Sequence, residues 1–119
     1  MWCLPVVGET YDGVLNDINA RGVTEAHAWA ALNSAASGPV AEGNVGGGTG
    51  MIAYEFKGGT GTASRRIEVA GAVYHLGVMV QANHGTRPAL EVSGVPVGQL
   101  MTDDLVHPTD LGSIIVVIA

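Results

Sequence analysis

The stretch that decides the fold is AVYHLGVMVQAN at residues 72–83, which is almost wholly apolar. Runs of this length that are rich in Val and other apolar side chains are typical of β-strands. The dipeptide Ala70-Gly71 before it predicts a turn, and residues 57–69 (KGGTGTASRRIEV) predict a strand entered through a Gly-rich turn. The centre of the chain is therefore expected to consist of consecutive strands.

Shorter strands are predicted on both sides of this centre. Residues 51–56 (MIAYEF) favour a strand, and residues 4–13 (LPVVGETYDG) favour a short buried strand that runs into a loop. Residues 89–100 (ALEVSGVPVGQL) predict a hairpin with Ser93-Gly94 at its tip. Residues 113–119 (SIIVVIA) are a continuous β-branched run, which is typical of a strand buried on both faces.

One helix is predicted, over VTEAHAWAALNSAASGP at residues 23–39. Thr24 is suited to the N-cap, and Gly38-Pro39 is a stop signal. Trp29 and Leu32 give the helix an apolar face. Strands combined with one helix predict the α+β class, or a layered α/β arrangement, in one domain or part of one.

The composition limits the partners of this chain. Of its 119 residues 47% are hydrophobic and only 13% are charged, against about 25% charged residues in a typical soluble domain. The net charge is −6 and Lys57 is the only lysine, so a phosphate-tracking basic patch is excluded. Nucleic acid and an anionic membrane surface are therefore not expected as partners.

Compartment signals favour the cytoplasm. Cys3 is the single cysteine, so an internal disulfide is impossible. No apolar stretch reaches the roughly 18 residues of a membrane span. The opening MWCLPVVGE lacks the basic start and long apolar core of a signal peptide.

Three groups of residues suggest chemistry that their context does not support. The loop GNVGGGTG (43–50) suggests a phosphate cradle, but it follows a helix, opens a strand and lacks the Lys of a P-loop, so a loop with positive φ and close packing is favoured. The histidines lack metal-site spacing; they are His27, His75, His84 and His107. Asp103, Asp104 and Asp110 are candidates for acid–base work, although such acidic runs are more often solvated loops.

The dipeptide Gly112-Ser113 at the start of the last predicted strand has a specific chemical use. If the bond between them is strained, the Ser113 hydroxyl can attack the Gly112 carbonyl, and hydrolysis of the resulting ester leaves Ser113 as a new N-terminus. The new α-amino group, with a pKa of about 7.7–8.0, is suited to act as a general base for that hydroxyl. From the dipeptide alone, an ordinary turn remains the more economical interpretation.

Four stretches, in order along the chain, carry a resemblance to a known family. They are PVVGETYDGVLNDIN (5–19), GPVAEGNVGGGTGMIAYEFKGGTGTASR (38–65), VMVQANHG (78–85) and LGSIIVVIA (111–119). Together they resemble the DmpA-type aminopeptidases, the family of β-peptidyl aminopeptidases and L-aminopeptidase/D-esterases. These enzymes are made as one polypeptide that cuts itself before a serine to give an α chain and a β chain.

The resemblance implies roles for particular residues. Ser113 matches the serine before which the family cuts itself, so Gly112-Ser113 is the implied cleavage site and Ser113 the implied nucleophile. Asn83 matches the asparagine of the oxyanion hole, where a side-chain amide can donate to developing negative charge. Tyr11 matches a tyrosine that lines the active site, where its phenol can donate to substrate.

The resemblance also implies a fold and partners. The implied fold is a four-layer αββα sandwich, of which residues 1–119 are the central part: the end of the α chain and, from Ser113, the first strand of the β chain. The implied substrates are short peptides, amino-acid amides or esters, the implied assembly is a homo-oligomer of the full-length protein, and no metal or organic cofactor is implied.

Two alternatives remain open at this point. Ornithine acetyltransferase shares the fold, but those relatives use a threonine as nucleophile where this chain has Ser113. The chain is also consistent with an inactive fragment, because the family's further serine and glutamate match nothing before Ala119.

Overall fold

A computed structural model describes residues 4, 6–104 and 112–119. Its larger sheet has three antiparallel strands in the order β3-β4-β5. β3 spans Gly59–Val69, β4 spans Ala72–Asn83 and β5 spans Ser113–Ile118. The predicted central strands are confirmed, and β4 has the predicted bounds.

The turn between β3 and β4 is a two-residue turn, as predicted. Ala70 and Gly71 both have positive φ, 51° and 80°. Positive φ at both central residues defines the turn type whose twist matches that of paired strands. The turn therefore fixes the register in which Val69 lies opposite Ala72.

Residues 51–56 do not form the single strand that was predicted. They contribute to a small antiparallel hairpin of β1 (Ile52–Ala53) and β2 (Phe56–Lys57). Its turn residues, Tyr54 and Glu55, have φ of 51° and 65°. Non-glycine residues rarely adopt this conformation, and Tyr-Glu is not a turn sequence, so the pattern of side chains gave no sign of the reversal.

Contacts from the chain after β4 hold this unfavourable turn. The Tyr54 N–H donates to the His84 carbonyl at 2.9 Å, and the two rings meet edge to face at 5.4 Å. The Arg87 N–H donates to Glu55 Oε1 at 3.0 Å, and the Arg87 guanidinium lies 4.1 Å from the centre of the Phe56 ring. Tertiary contacts thus compensate for a conformation that the local sequence disfavours.

The predicted helix is confirmed, although it is shorter than expected. α1 spans Glu25–Asn33. At its start, the N–H of the N-cap residue Thr24 donates to His27 Nδ1, and the His27 N–H donates to the Thr24 carbonyl, each at 3.0 Å. The helix ends at Asn33 because Asn and Ser are poor helix interiors, and the Ser34 hydroxyl donates back to the chain. Its apolar face is not covered by the described chain, since Trp29 is 55% exposed.

The two other predicted strands have different outcomes. Residues 6–10 adopt no regular secondary structure, and Val6 and Val7 are more than nine-tenths exposed. β5 forms where it was predicted, but among the described residues it pairs with β4 alone, and Ile114 and Val116 are about half exposed. In both cases an apolar run indicates a surface to be covered but does not identify what covers it.

The predicted hairpin at 89–100 is confirmed only at its tip. Ser93 and Gly94 have positive φ and connect a single bridge between Val92 and Val95. The flanking residues form short helices instead of strands, and these are the 3₁₀ turn Arg87–Ala89 and α2, which spans Val97–Leu100. Two further 3₁₀ turns span Ile18–Ala20 and Gly46–Gly50.

The buried part of the described chain lies where the glycine loop, the β1-β2 hairpin and the end of β4 meet. Met51, Asn83 and Arg87 are 1%, 8% and 4% exposed. The glycines Gly48 and Gly50 are buried with them. The best-packed region is therefore also the region that holds the sequence-predicted asparagine.

Candidate active site

Ser113 is the first residue of β5, and the sheet register places it opposite Asn83, the last residue of β4. Directly opposed residues of an antiparallel pair project from the same face. The Ser113 Oγ accepts a hydrogen bond from Asn83 Nδ2 at 2.9 Å and a second from the Tyr11 N–H at 3.1 Å. The three residues singled out in the sequence therefore meet at one hydroxyl oxygen.

The orientation of the Asn83 side-chain amide is fixed by its other contacts. Its Oδ1 accepts from the backbone N–H of Ile52 at 2.9 Å. Its Nδ2 donates to the Tyr11 carbonyl at 2.6 Å as well as to Ser113. Because only the oxygen can accept the Ile52 N–H, the NH₂ group must face Ser113.

Tyr11 enters the site through its backbone. Its N–H and C=O make the contacts to Ser113 and Asn83, while the phenol oxygen lies over Gly13, where an added Cβ would be 2.5 Å away. Tyr11 is 54% exposed. The substrate-facing role of its phenol stays a prediction, and the backbone role was not visible in the sequence.

Gln81 holds the Tyr11 segment, residues 10–12, against the sheet. Its Nε2 donates to the Thr10 hydroxyl at 2.6 Å. Gly47 lies against the Gln81 amide, where a Cβ would come within 2.6 Å of Oε1. Sequence reasoning missed Gln81, although it stands two residues before Asn83 and so projects from the same face of β4.

The glycine loop is a packing loop, as its context predicted. Gly43 and Gly46 have positive φ. A Cβ on Gly48 would lie 2.5 Å from the Gly43 carbonyl oxygen, and one on Gly50 would lie 2.5 Å from the Asp12 Cβ. The loop can approach both β3 and the Tyr11 segment only because these positions lack side chains.

Gly112 also lies in close contact with its neighbours. A Cβ there would be 3.1 Å from the His84 Cβ, so a larger residue before Ser113 would crowd His84. The strain considered for the Gly112-Ser113 link stays a prediction.

Of the acidic candidates, the two that the structure describes, Asp103 and Asp104, make no hydrogen bond to Ser113. The side chains of Asp103 and Asp104 are exposed, and their backbone carbonyls accept from the Arg87 guanidinium at 3.1 and 3.4 Å. Asp110 and His107 lie outside the described residues. No group of three or more His, Cys, Asp or Glu suited to a metal ion occurs within residues 4, 6–104 and 112–119.

Within those same ranges no helix has the length and apolarity needed to cross a bilayer. The arrangement around Ser113 is suited to acyl chemistry. Two N–H donors at the Ser113 oxygen fix the position of the hydroxyl and stabilise the alkoxide that it becomes when it loses its proton.

Comparison with known proteins supports this interpretation. The model of peptidase family S58 matches residues 1–119. Beta-peptidyl aminopeptidase BapA from Sphingosinicella microcystinivorans is 54% identical over 134 residues, which cover 99% of this chain and 34% of that protein. A second BapA, from Sphingosinicella xenopeptidilytica, is 49% identical over 98% of this chain and 32% of its own length. The chain thus spans about a third of the length of the curated relatives it matches.

Solved structures agree with the sequence relatives. The L-aminopeptidase D-Ala-esterase/amidase of Ochrobactrum anthropi, a prototype for the serine aminopeptidases with a variant of the Ntn hydrolase fold, is 60% identical with a TM-score of 0.89. A beta-aminopeptidase from a Burkholderia species is 52% identical with a TM-score of 0.83. Each match covers 99% of this chain and 32% of the other. These comparisons confirm the resemblance that the four sequence stretches suggested.

Proposed function

The chain belongs to peptidase family S58, and from this membership we propose that it is the part of a serine aminopeptidase precursor that carries the nucleophile, Ser113. Residues 1–119 then form the central part of a four-layer αββα catalytic domain, with the β chain beginning at Ser113. The observation that carries the proposal is the convergence of the Asn83 amide and the Tyr11 N–H on the Ser113 oxygen.

The first reaction is self-cleavage. The Ser113 Oγ attacks the Gly112 carbonyl carbon, its proton passes to the Ser113 nitrogen, and the C–N bond breaks to leave an ester. Water then hydrolyses the ester and frees the Gly112 carboxylate and the Ser113 α-amine. The Asn83 amide and the Tyr11 N–H support the first step by holding the Ser113 Oγ in place and by stabilising it as its proton leaves.

The second reaction is turnover. The freed α-amine takes the Oγ proton, Oγ attacks the substrate carbonyl, and the leaving amine or alcohol takes that proton as the acyl-enzyme forms. Water completes the cycle. Asn83 donates to the oxyanion of the tetrahedral intermediate, and the Tyr11 phenol helps to position the substrate.

The substrate class is proposed from the relatives. Two are beta-peptidyl aminopeptidases and one is an L-aminopeptidase D-Ala-esterase/amidase. We therefore propose short peptides, amino-acid amides or esters with a free amino end as substrates of the full-length protein, which we expect to be a homo-oligomer. The 119-residue chain alone is expected to be inactive, since it spans about a third of these enzymes.

Mass spectrometry of the full-length protein that carries this chain tests the proposal. A fragment that begins at Ser113, together with release of p-nitroaniline from an amino-acid p-nitroanilide, is the expected result. An uncut protein that is active, or a cut at any other bond, overturns the assignment. Acetyl transfer from N-acetylornithine to glutamate without peptide hydrolysis overturns it in favour of the acyltransferase alternative.

A further inference from the structure

Lys57, the only lysine of the chain, uses all three of its ammonium hydrogens on backbone carbonyls. Its Nζ donates to the carbonyl oxygens of Gly48, Met51 and Gly58 at 2.9, 3.0 and 2.7 Å. The first two hydrogen bonds are partly buried. The Lys57 side chain therefore connects the end of β2 to the glycine loop and to the start of β1.

One of these three carbonyls belongs to a peptide group that also contacts the candidate site. The Met51 C=O and the Ile52 N–H are the two ends of one planar peptide unit. The C=O accepts from Lys57, and the N–H donates to Asn83 Oδ1 at 2.9 Å. Asn83 Nδ2 then donates to the Ser113 Oγ at 2.9 Å.

An unbroken series of hydrogen bonds thus leads from a positive charge to the Ser113 oxygen. A cation on the oxygen of a peptide group makes its N–H a stronger donor, and hydrogen bonds in series polarise one another. The Asn83 amide is polarised in the same sense, with its NH₂ group more positive toward Ser113. The polarised NH₂ group is therefore a stronger donor, both to the Ser113 hydroxyl at rest and to the oxyanion that forms when Ser113 attacks a carbonyl.

We propose that Lys57 is a positioning residue for the reaction at Ser113, acting through the Met51–Ile52 peptide group and the Asn83 amide. The proposal rests on the assignment of Ser113 as nucleophile. Lys57 does not touch the reacting atoms. It holds the peptide unit that orients Asn83 and strengthens the hydrogen bond that Asn83 donates.

A double-mutant cycle on the full-length protein tests this role. The variants are Lys57→Met, Asn83→Ala and the double variant. Arg65→Met is the control, because it also removes a cation, and Arg65 donates to the carbonyl of its neighbour Ser64. Removing an oxyanion donor outright lowers kcat by about 10²–10³-fold, so weakening one is expected to lower it by about tenfold. Hydrolysis of an amino-acid p-nitroanilide is measured.

The expected result has three parts. Lys57→Met lowers kcat about tenfold with KM unchanged, because the affected donor acts on the transition state. The same substitution has no further effect in the Asn83→Ala background, since both act through one amide. Lys57→Arg restores part of the loss by returning the charge, and Arg65→Met leaves the rate unchanged.

Each contrary outcome is informative. An equal loss in the wild-type and Asn83→Ala backgrounds, or an unchanged kcat, overturns the role of Lys57 while leaving the nucleophile assignment intact. If Lys57→Met does not fold, the cycle is made with Lys57→Arg. An equal effect of Lys57→Arg on kcat in the wild-type and Asn83→Ala backgrounds then overturns the role of Lys57. A wild-type protein that is uncut and inactive overturns the proposed function itself.

Discussion

The two ends of β4 differ sharply, although one strand forms both. From Ala72 to Leu76 the strand is exposed, with Tyr74 53% accessible, whereas from Gly77 to Ala82 it is half-buried and Asn83 is buried. β3 pairs along the whole length, but β5 pairs only with residues 78–83. A continuous ladder therefore does not by itself bury a strand.

What differs is the number of other segments that cross each end. At the Asn83 end the Tyr11 segment, the β1 strand and β5 all donate to or accept from side chains of β4. At the far end, the register leaves Ile67 opposite Tyr74 with both exposed. A catalytic arrangement requires several segments to converge, and within the described residues the Asn83 end of β4 provides this.

The largest expected effect comes from removing the hydroxyl at the convergent end. Ser113→Ala in the full-length protein should abolish cleavage at residue 113 and lower kcat by about 10⁶-fold, to background, because no nucleophile remains. The cut is followed by mass spectrometry and turnover by p-nitroaniline release. Ser64→Ala, at an exposed position of β3, is the matched control and should leave both unchanged. Hydrolysis that survives Ser113→Ala would contradict the proposed nucleophile.

The next effect comes from reversing one hydrogen bond at the same end. Asn83→Asp keeps an oxygen for the Ile52 N–H but turns the other group into an acceptor facing the Ser113 oxygen and the Tyr11 carbonyl. We expect kcat to fall about 10²–10³-fold. Steady-state kinetics beside Asn33→Asp, at the exposed end of α1, measure this effect. A loss of less than about tenfold at position 83 would show that this amide is not essential.

A smaller effect separates two glycines of the same region. A Cβ at Gly48 would lie 2.5 Å from the Gly43 oxygen and 2.9 Å from the Thr60 nitrogen, whereas one at Gly61 meets nothing within 4 Å. Gly48→Ala should therefore destabilise the protein by about 1–3 kcal/mol, and Gly61→Ala should change stability by less than about 0.5 kcal/mol. Thermal unfolding followed by circular dichroism compares them. Equal stability of the two variants would show that the loop yields easily.

The smallest effect concerns Glu42, at the entrance of the glycine loop. The Thr62 hydroxyl and then the Thr62 N–H donate to its carboxylate and hold the pKa of Glu42 below its ordinary value of 4.5. The folded state therefore binds this proton less readily than the unfolded state, so the contribution to stability is present above pH 4.5 and is lost as the pH falls through the lowered pKa.

An NMR titration of the Glu42 carboxyl carbon checks this prediction. Thr62→Val removes the hydroxyl that donates to Glu42 and should raise the pKa of Glu42 toward its ordinary value. Thr86→Val, in the loop before the Arg87 turn, is a control and should not move it. A titration unaffected by Thr62→Val would contradict the assigned cause.

The sequence predicted the elements whose signals are local. The β4 bounds, the Ala70-Gly71 turn and the Thr24 helix start all depend on residue type and spacing, and the structure confirms them. The Tyr54-Glu55 turn was missed because contacts from the chain after β4 hold it. The β5 strand was predicted, but its exposure was not, because burial depends on what lies beside a strand.

The site was predicted in its members but not in its geometry. Family likeness selected Ser113, Asn83 and Tyr11, and the structure brings them within hydrogen-bonding distance. Their catalytic roles stay predictions. The backbone contribution of Tyr11 and the support from Gln81 and Lys57 involve atoms and distances that no residue pattern encodes.

The pairing of β5 with β4 has a consequence for the fate of a nicked molecule. Opening the bond before Ser113 would leave residues 113–118 attached to the sheet by their ladder with residues 78–83. The two polypeptides would therefore comigrate on a native gel and separate only under denaturing electrophoresis. The hydrogen bonds between β4 and β5 would keep the new amino terminus at Ser113 beside Asn83.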